Sequence, residues 1–370
     1  MSFIKSNGKI ERESNIELLR IVLMLMIIMY HLVVHGCHFR AMASNEYISN
    51  SNDIMLALLT SFTAIAVNCF IFISGYYGIK FKVKTLISFI LQAIFYSTTM
   101  YIFYNVLLND NFSIYYFSVS FFPITFNFWW FLNAFLGVYI LSPFINKGIE
   151  YLNNYLILGL IIILIYLEAP YLFWGHNSYS IHGLDVYTLL VVYIVARFCN
   201  KVKLEIANPF RMYLIIISVI FIFVYTCLKL DLQGLGWRIT AYNSVLVIIG
   251  AGAFFYGFKK INVRSSIINK IAPLTFGVYL IHDYGTSQRQ LISLVEKING
   301  AINNPFILFF ALIALTILIF VICSSIEKLR QVIMNPAIEI ISNKISRFIE
   351  QKQHYIKNTL APKWRIDNNN

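Results

Sequence analysis

The feature that most constrains this chain is the length of its apolar runs. A membrane-spanning helix takes about 20 mostly apolar residues. Ten segments reach that length, at roughly 15–35, 54–79, 84–108, 127–146, 150–172, 183–200, 209–230, 240–258, 267–286 and 304–326. The expected fold class is therefore all-α, a polytopic integral-membrane bundle of about ten transmembrane helices. Composition agrees, with 59% of the 370 residues apolar and 12% charged, against about 25% charged in a soluble domain. The stretch from Phe112 to Phe126, interrupted at Pro123, is expected to be a loop or re-entrant piece instead. The first run follows a polar, charged segment and has no small-residue cleavage site, so it is expected to be a retained helix rather than a signal peptide.

Charge orients the bundle. With the N-terminus in the cytoplasm, 23 of the 29 Lys and Arg fall in inner loops and tails. Five (Arg40, Lys229, Arg238, Arg289, Lys297) fall outside, and Arg20 lies within the first helix. That asymmetry is the positive-inside pattern of a multi-pass protein of the cell membrane with both termini cytoplasmic. The net charge of +12 comes from short clusters between apolar runs rather than one basic face, so no nucleic-acid partner is expected. Three parts follow: a cytoplasmic segment 1–14, a membrane domain 15–326 and a basic tail 327–370. The tail alternates Ile338, Ile341, Ile345, Phe348 and Ile349 with Lys344, Arg347 and Lys352 at helical spacing, which suits membrane lipid at the inner surface. Cys37, Cys69, Cys199, Cys227 and Cys323 are scattered singly and define no disulfide framework.

Charged groups inside a span are expensive and mark function by default, so the first helix is the most informative. His31 follows Arg20 by eleven residues, close to three whole turns or roughly 16 Å of rise, so both share one face. Glu17, three residues before Arg20, can pair with it there. An imidazole this deep in a span is better placed facing a polar cavity than lipid, and near neutral pH it can accept a proton from a hydroxyl. His31, His35, Cys37 and His38 also suggest a metal cluster, but the Glu of H-E-x-x-H is missing and no metal is expected. No Ser or Cys stands at a diagnostic spacing from a base, which favours direct general-base transfer over a covalent route.

The Glu17-x-x-Arg20-x10-His31 stretch resembles the first-helix signature of the membrane-bound acyltransferase 3 family. Further blocks follow in the family's order. Asn68-Cys-Phe-Ile-Phe-Ile-Ser74-Gly75-Tyr76 is similar to its F-x-x-S-G-[FY] motif, although Asn68 stands where many relatives carry an acidic residue or proline. Asn127-Phe-Trp-Trp130-Phe-Leu with Leu141-Ser142-Pro143-Phe resembles the W-F-L…L-S-P block. Ala272-Pro-Leu-Thr-Phe-Gly277-Val-Tyr279-Leu-Ile-His282 resembles the late G-x-Y-x-x-H block. The likeness runs over roughly residues 10 to 330.

The resemblance implies transfer of an acyl group, usually acetyl, from cytoplasmic acyl-CoA to a hydroxyl of a surface glycan on the far side of the membrane. It implies a catalytic set of His31, Arg20 and Glu17. It also implies a donor-binding set of Lys80, Lys82, Ser74 and Tyr76, with Lys84 beside them, and an acceptor-binding set of Trp130, Tyr279 and His282. Glycan-assembly machinery is an expected partner. The competing expectation is a transporter, flippase or export-assisting protein for a lipid-linked glycan. Such folds often carry internal repeats and paired broken helices, and the sequence shows neither.

Overall fold

The computed structural model describes residues 3–6, 9–39, 51–109, 111–175, 183–230, 232 and 234–360. A short antiparallel hairpin, β1 (Phe3–Ser6) and β2 (Lys9–Arg12), precedes an otherwise helical chain. The helices are α1 (Ser14–His31), α2 (Asp53–Thr63), α3 (Ala66–Tyr77), α4 (Val83–Tyr101), α5 (Ile114–Val119), α6 (Trp130–Tyr151), α7 (Asn154–Glu168) and α8 (Pro170–Trp174). They continue as α9 (Val186–Lys201), α10 (Pro209–Lys229), α11 (Leu235–Ile239), α12 (Val245–Lys259), α13 (Ser266–Ile271), α14 (Thr275–His282), α15 (Gly285–Ala301) and α16 (Pro305–Leu360).

Among the described residues, six helical segments are long and apolar enough to cross a membrane: Ser14–Gly36, Asp53–Tyr77, Val83–Leu107, Asn154–Leu172, Pro209–Lys229 and Pro305–Lys352. The sequence led us to expect about ten. The other four expected spans coincide with α6, α9, the shorter apolar α12, and a stretch divided between α13 and α14. That division has a local cause. Pro273 lacks an N–H, and the chain takes a 3-10 turn over Ala272–Leu274 before resuming as α14.

The chain forms two compact units. The first comprises residues 1–80 and 124–327. Within it α1 is central, in contact with α2, α3, α12, α13 and α14. Ile16, Leu19, Leu23 and Ile28 are fully buried, as expected for a helix apolar on nearly every side. By contrast α7 exposes Leu158, Ile162, Ile163 and Tyr166, a face suited to lipid. Helices α3 and α9 approach each other closely. A β-carbon on Gly75 would stand 2.6 Å from the carbonyl oxygen of Tyr193, so only glycine fits there.

The proline of the L-S-P block is accommodated inside α6. Pro143 cannot donate to the Tyr139 carbonyl, and the Ser142 hydroxyl donates to it instead at 2.8 Å. The serine thus repairs the hydrogen bond that its neighbour removes.

The second unit comprises residues 81–123 and 328–370. Here the expected loop of 112–126 contributes α5, held to α4 by the Tyr101 hydroxyl, which donates to Ser113 O at 2.9 Å and accepts from Ser113 N at 2.8 Å. Lys84 pairs with Glu339 at 3.0 Å. The tail is helical, as its spacing predicts: α16 runs unbroken to Leu360.

Candidate functional site

The site begins where α1 changes its winding. After His31 the helix widens into a π turn over Leu32–Gly36, closed by Cys37 N donating to Leu32 O at 2.9 Å. Such turns cost regular hydrogen bonding and recur at functional positions. Tyr30, His31, Val34 and His35 form one wall of a cavity of about 280 Å³. The opposite walls carry Asn127, Phe128 and Trp130, then Trp237 and Tyr242, then Asp283 and Gln288. Trp130 and Tyr242 are stacked, with centroids 5.4 Å apart and planes at 22°. Asn127 holds a positive φ of 50°, which asparagine tolerates better than most residues. Its side-chain oxygen accepts from Asn133 Nδ2 at 2.8 Å.

His31 is largely buried, and the rings of His282 and His35 lie 5.3 and 5.6 Å from its own. Its Nδ1 is 3.6 Å from Asp283 Oδ1. Behind it, His282 Nδ1 bonds Val278 O at 2.7 Å. A carbonyl can only accept, so this nitrogen carries the proton. Tyr279 packs edge-on against Phe131 at 5.7 Å and lies 6.3 Å from the His282 ring. In the same block, a β-carbon at Gly277 would collide with the buried Glu327 side chain at 2.3 Å, so the glycine lets α14 and α16 meet.

The other end of α1 forms a basic corner. Arg20 Nη1 meets Glu17 Oε1 at 2.5 Å, with the carboxylate almost wholly buried. The start of α1 is fixed by Asn15, which donates to Phe258 O and Lys259 O, and by Ser14, whose hydroxyl accepts from Ser265 N. Tyr77 bonds Glu13, and Lys259 bonds the Tyr76 hydroxyl while lying 4.5 Å from the centre of that ring. Arg197 donates to Tyr76 O at 3.3 Å. Among the described residues, neither Arg197 nor Lys259 has a carboxylate partner.

The residues singled out in the sequence therefore separate into groups. His31 and Trp130 share the cavity, with His282 and Tyr279 packed beside it. Glu17, Arg20 and Tyr76 stand at the basic corner. Ser74 turns its hydroxyl back to Phe70 O at 3.1 Å, and Lys80 is an exposed end of the first unit. Lys82 and Lys84 belong to the second unit. Of the grouping weighed as metal ligands, His31 and His35 stay together, while His38 is exposed and pairs with Glu296 at 2.7 Å.

Sequence reasoning missed Trp237, Tyr242 and Asp283 in the cavity, and Arg197 and Lys259 at the corner. Only Asp283 had a usable signal, as an acidic residue next to His282 in an apolar block. In the sequence Arg197 and Lys259 read only as cytoplasmic-side topology residues. The model of the acyltransferase 3 family, described as an acyltransferase domain, matches residues 13–325. No curated protein and no solved structure matches the chain.

Proposed function

The chain belongs to the acyltransferase 3 family, and on that premise we propose that it carries an acyl group, acetyl by preference, from cytoplasmic acyl-CoA to a hydroxyl of an extracytoplasmic glycan. The observation that carries this reading is the placement of His31. This imidazole, in an otherwise apolar helix, lines a cavity with Trp130, Tyr242 and Trp237, and aromatic faces of this kind suit the apolar face of a sugar ring. Three turns earlier on the same helix, Arg20 belongs to a corner whose further cations, Arg197 and Lys259, have the charge that phosphates of CoA require. The donor would bind at that corner with its thioester directed along the bundle toward His31, and the acceptor would enter the cavity from the outer side of the cell membrane.

In the transfer step, His31 takes the proton of the attacking hydroxyl as its oxygen adds to the thioester carbonyl. The new C–O bond forms, the C–S bond breaks, and the departing sulfur recovers the proton from the imidazolium. Glu17 holds Arg20 in place by its buried ion pair. Tyr279 and His282 fix the wall behind His31.

The test is transfer of a labelled acetyl group from acetyl-CoA to oligosaccharide by purified protein in lipid vesicles. The wild-type protein should form base-labile sugar esters. His31→Gln, which keeps hydrogen-bonding capacity but cannot carry a proton at neutral pH, should bind donor and lose transfer about a hundredfold or more. His31→Gln at near wild-type rate would remove the general base, and a wild-type protein without transfer would remove the reading itself.

A further inference from the structure

We propose that Asp283 is a positioning residue for this reaction, holding the His31 ring with its proton on Nδ1 so that the Nε2 lone pair serves as the base. The inference rests on the acyl-transfer reading and deepens it. His31 Nδ1 is buried and has no hydrogen-bond partner among the described residues, a costly state for a polar atom. The carboxylate oxygen of Asp283 stands 3.6 Å away, about half an ångström beyond a normal hydrogen bond. Catalytic hydrogen bonds are often long before substrate arrives and tighten in the complex.

Asp283 is itself well anchored. Its backbone N–H donates to Tyr279 O at 3.1 Å and ends α14, and its Oδ1 accepts from Gln288 Nε2 of α15 at 3.2 Å. The carboxylate is thus referred to two helices and the imidazole to a third. Among the described residues lining the cavity, Asp283 is the one carboxylate. His282 does not offer the same service, because it brings no negative charge to balance an imidazolium.

The chemistry follows from the charges. When the acceptor proton reaches Nε2, the ring becomes a cation in a largely apolar cavity, and a carboxylate beside Nδ1 favours that charged form. In this step Asp283 acts as the ionised carboxylate beside the imidazolium, and the proton on Nε2 passes to the departing CoA sulfur. With asparagine at 283 the charge is lost and the amide can present its NH2 group to Nδ1. The ring would then turn over to the tautomer that carries its proton on Nε2, which cannot act as base.

The experiment is the vesicle transfer assay with Asp283→Asn, His31→Gln and the double variant, together with acetyl-CoA binding by each. Asp283→Asn should lower kcat about a hundredfold or more while the KM for acetyl-CoA stays near wild type. In the His31→Gln background the same change should cost little further, because a residue acting through His31 has nothing left to orient. Losses that multiply in the double variant, a near wild-type rate for Asp283→Asn, or a variant that fails to insert and bind donor would each overturn the assignment. A wild-type protein without transfer would overturn the acyl-transfer reading and this assignment with it, whereas an active wild type beside an equally active Asp283→Asn sinks the assignment alone.

Discussion

Two glycine-to-alanine changes in apolar helices should have opposite effects on stability. At Gly75 a β-carbon would lie 2.6 Å from Tyr193 O and 2.8 Å from Ala196 Cβ. The nearer obstacle is backbone, so no rotamer change relieves it. The shortfall against an ordinary 3.4 Å contact is about 0.8 Å, and α3 and α9 must separate by a comparable distance. Overpacking of this kind costs about 1–3 kcal/mol, offset by about 1 kcal/mol of helix propensity gained by alanine. The separation also disturbs the Tyr193 hydroxyl, which accepts from Ile79 N at 2.9 Å and donates to Asn146 at 2.8 Å. Each such bond contributes roughly 1 kcal/mol. The net expectation for Gly75→Ala is a loss of about 1–3 kcal/mol. Gly159 in α7 has nothing within 4 Å of its β-carbon position, so Gly159→Ala should be neutral or stabilising by up to about 1 kcal/mol. Reversible unfolding in mixed micelles titrated with a denaturing detergent measures both against wild type. A Gly75→Ala protein as stable as Gly159→Ala would refute the close contact between α3 and α9.

Two further outcomes test the donor end and the orientation. Arg197→Met and Lys259→Met should each weaken acetyl-CoA binding several-fold and leave acceptor KM near wild type, because charge-assisted contacts to phosphate are strong; equilibrium binding of labelled acetyl-CoA in which Lys82→Met has the larger effect would move the phosphate site to the 80–84 lysines. A single cysteine placed between 173 and 182, a stretch expected on the outer side and lying largely outside the described residues, in a cysteine-free protein should react with an impermeant thiol reagent in intact cells, and labelling only after permeabilisation would reverse the direction of transfer.

What could be read from the sequence divides along a physical line. His31, Arg20 and Glu17 stood out because a polar group within an apolar run carries a cost visible in the run itself. The Glu17 to Arg20 pair needed only helical spacing to predict and is present at 2.5 Å. The Ser142-Pro143 step is likewise local, since the hydroxyl that serves the orphaned Tyr139 carbonyl is the adjacent residue. Tyr242 is the opposite case. Its neighbours in sequence form no motif, and its place comes from Asn68, which donates to its carbonyl at 2.7 Å across 174 residues of chain, and from its stack on Trp130. Asn68 was noticed only as a departure from the family pattern, whereas in the fold its amide fixes the backbone of a cavity residue. The 267–286 run shows the limit of counting apolar residues, because hydropathy passes over Pro273 and does not register the 3-10 turn over Ala272–Leu274 that divides the run. After that turn α14 ends at His282 with Asp283 at its C-cap, and the carboxylate at this helix end is the one that stands beside His31. That meeting joins helices far apart in the chain, so the apolar count of either run alone carries no trace of it.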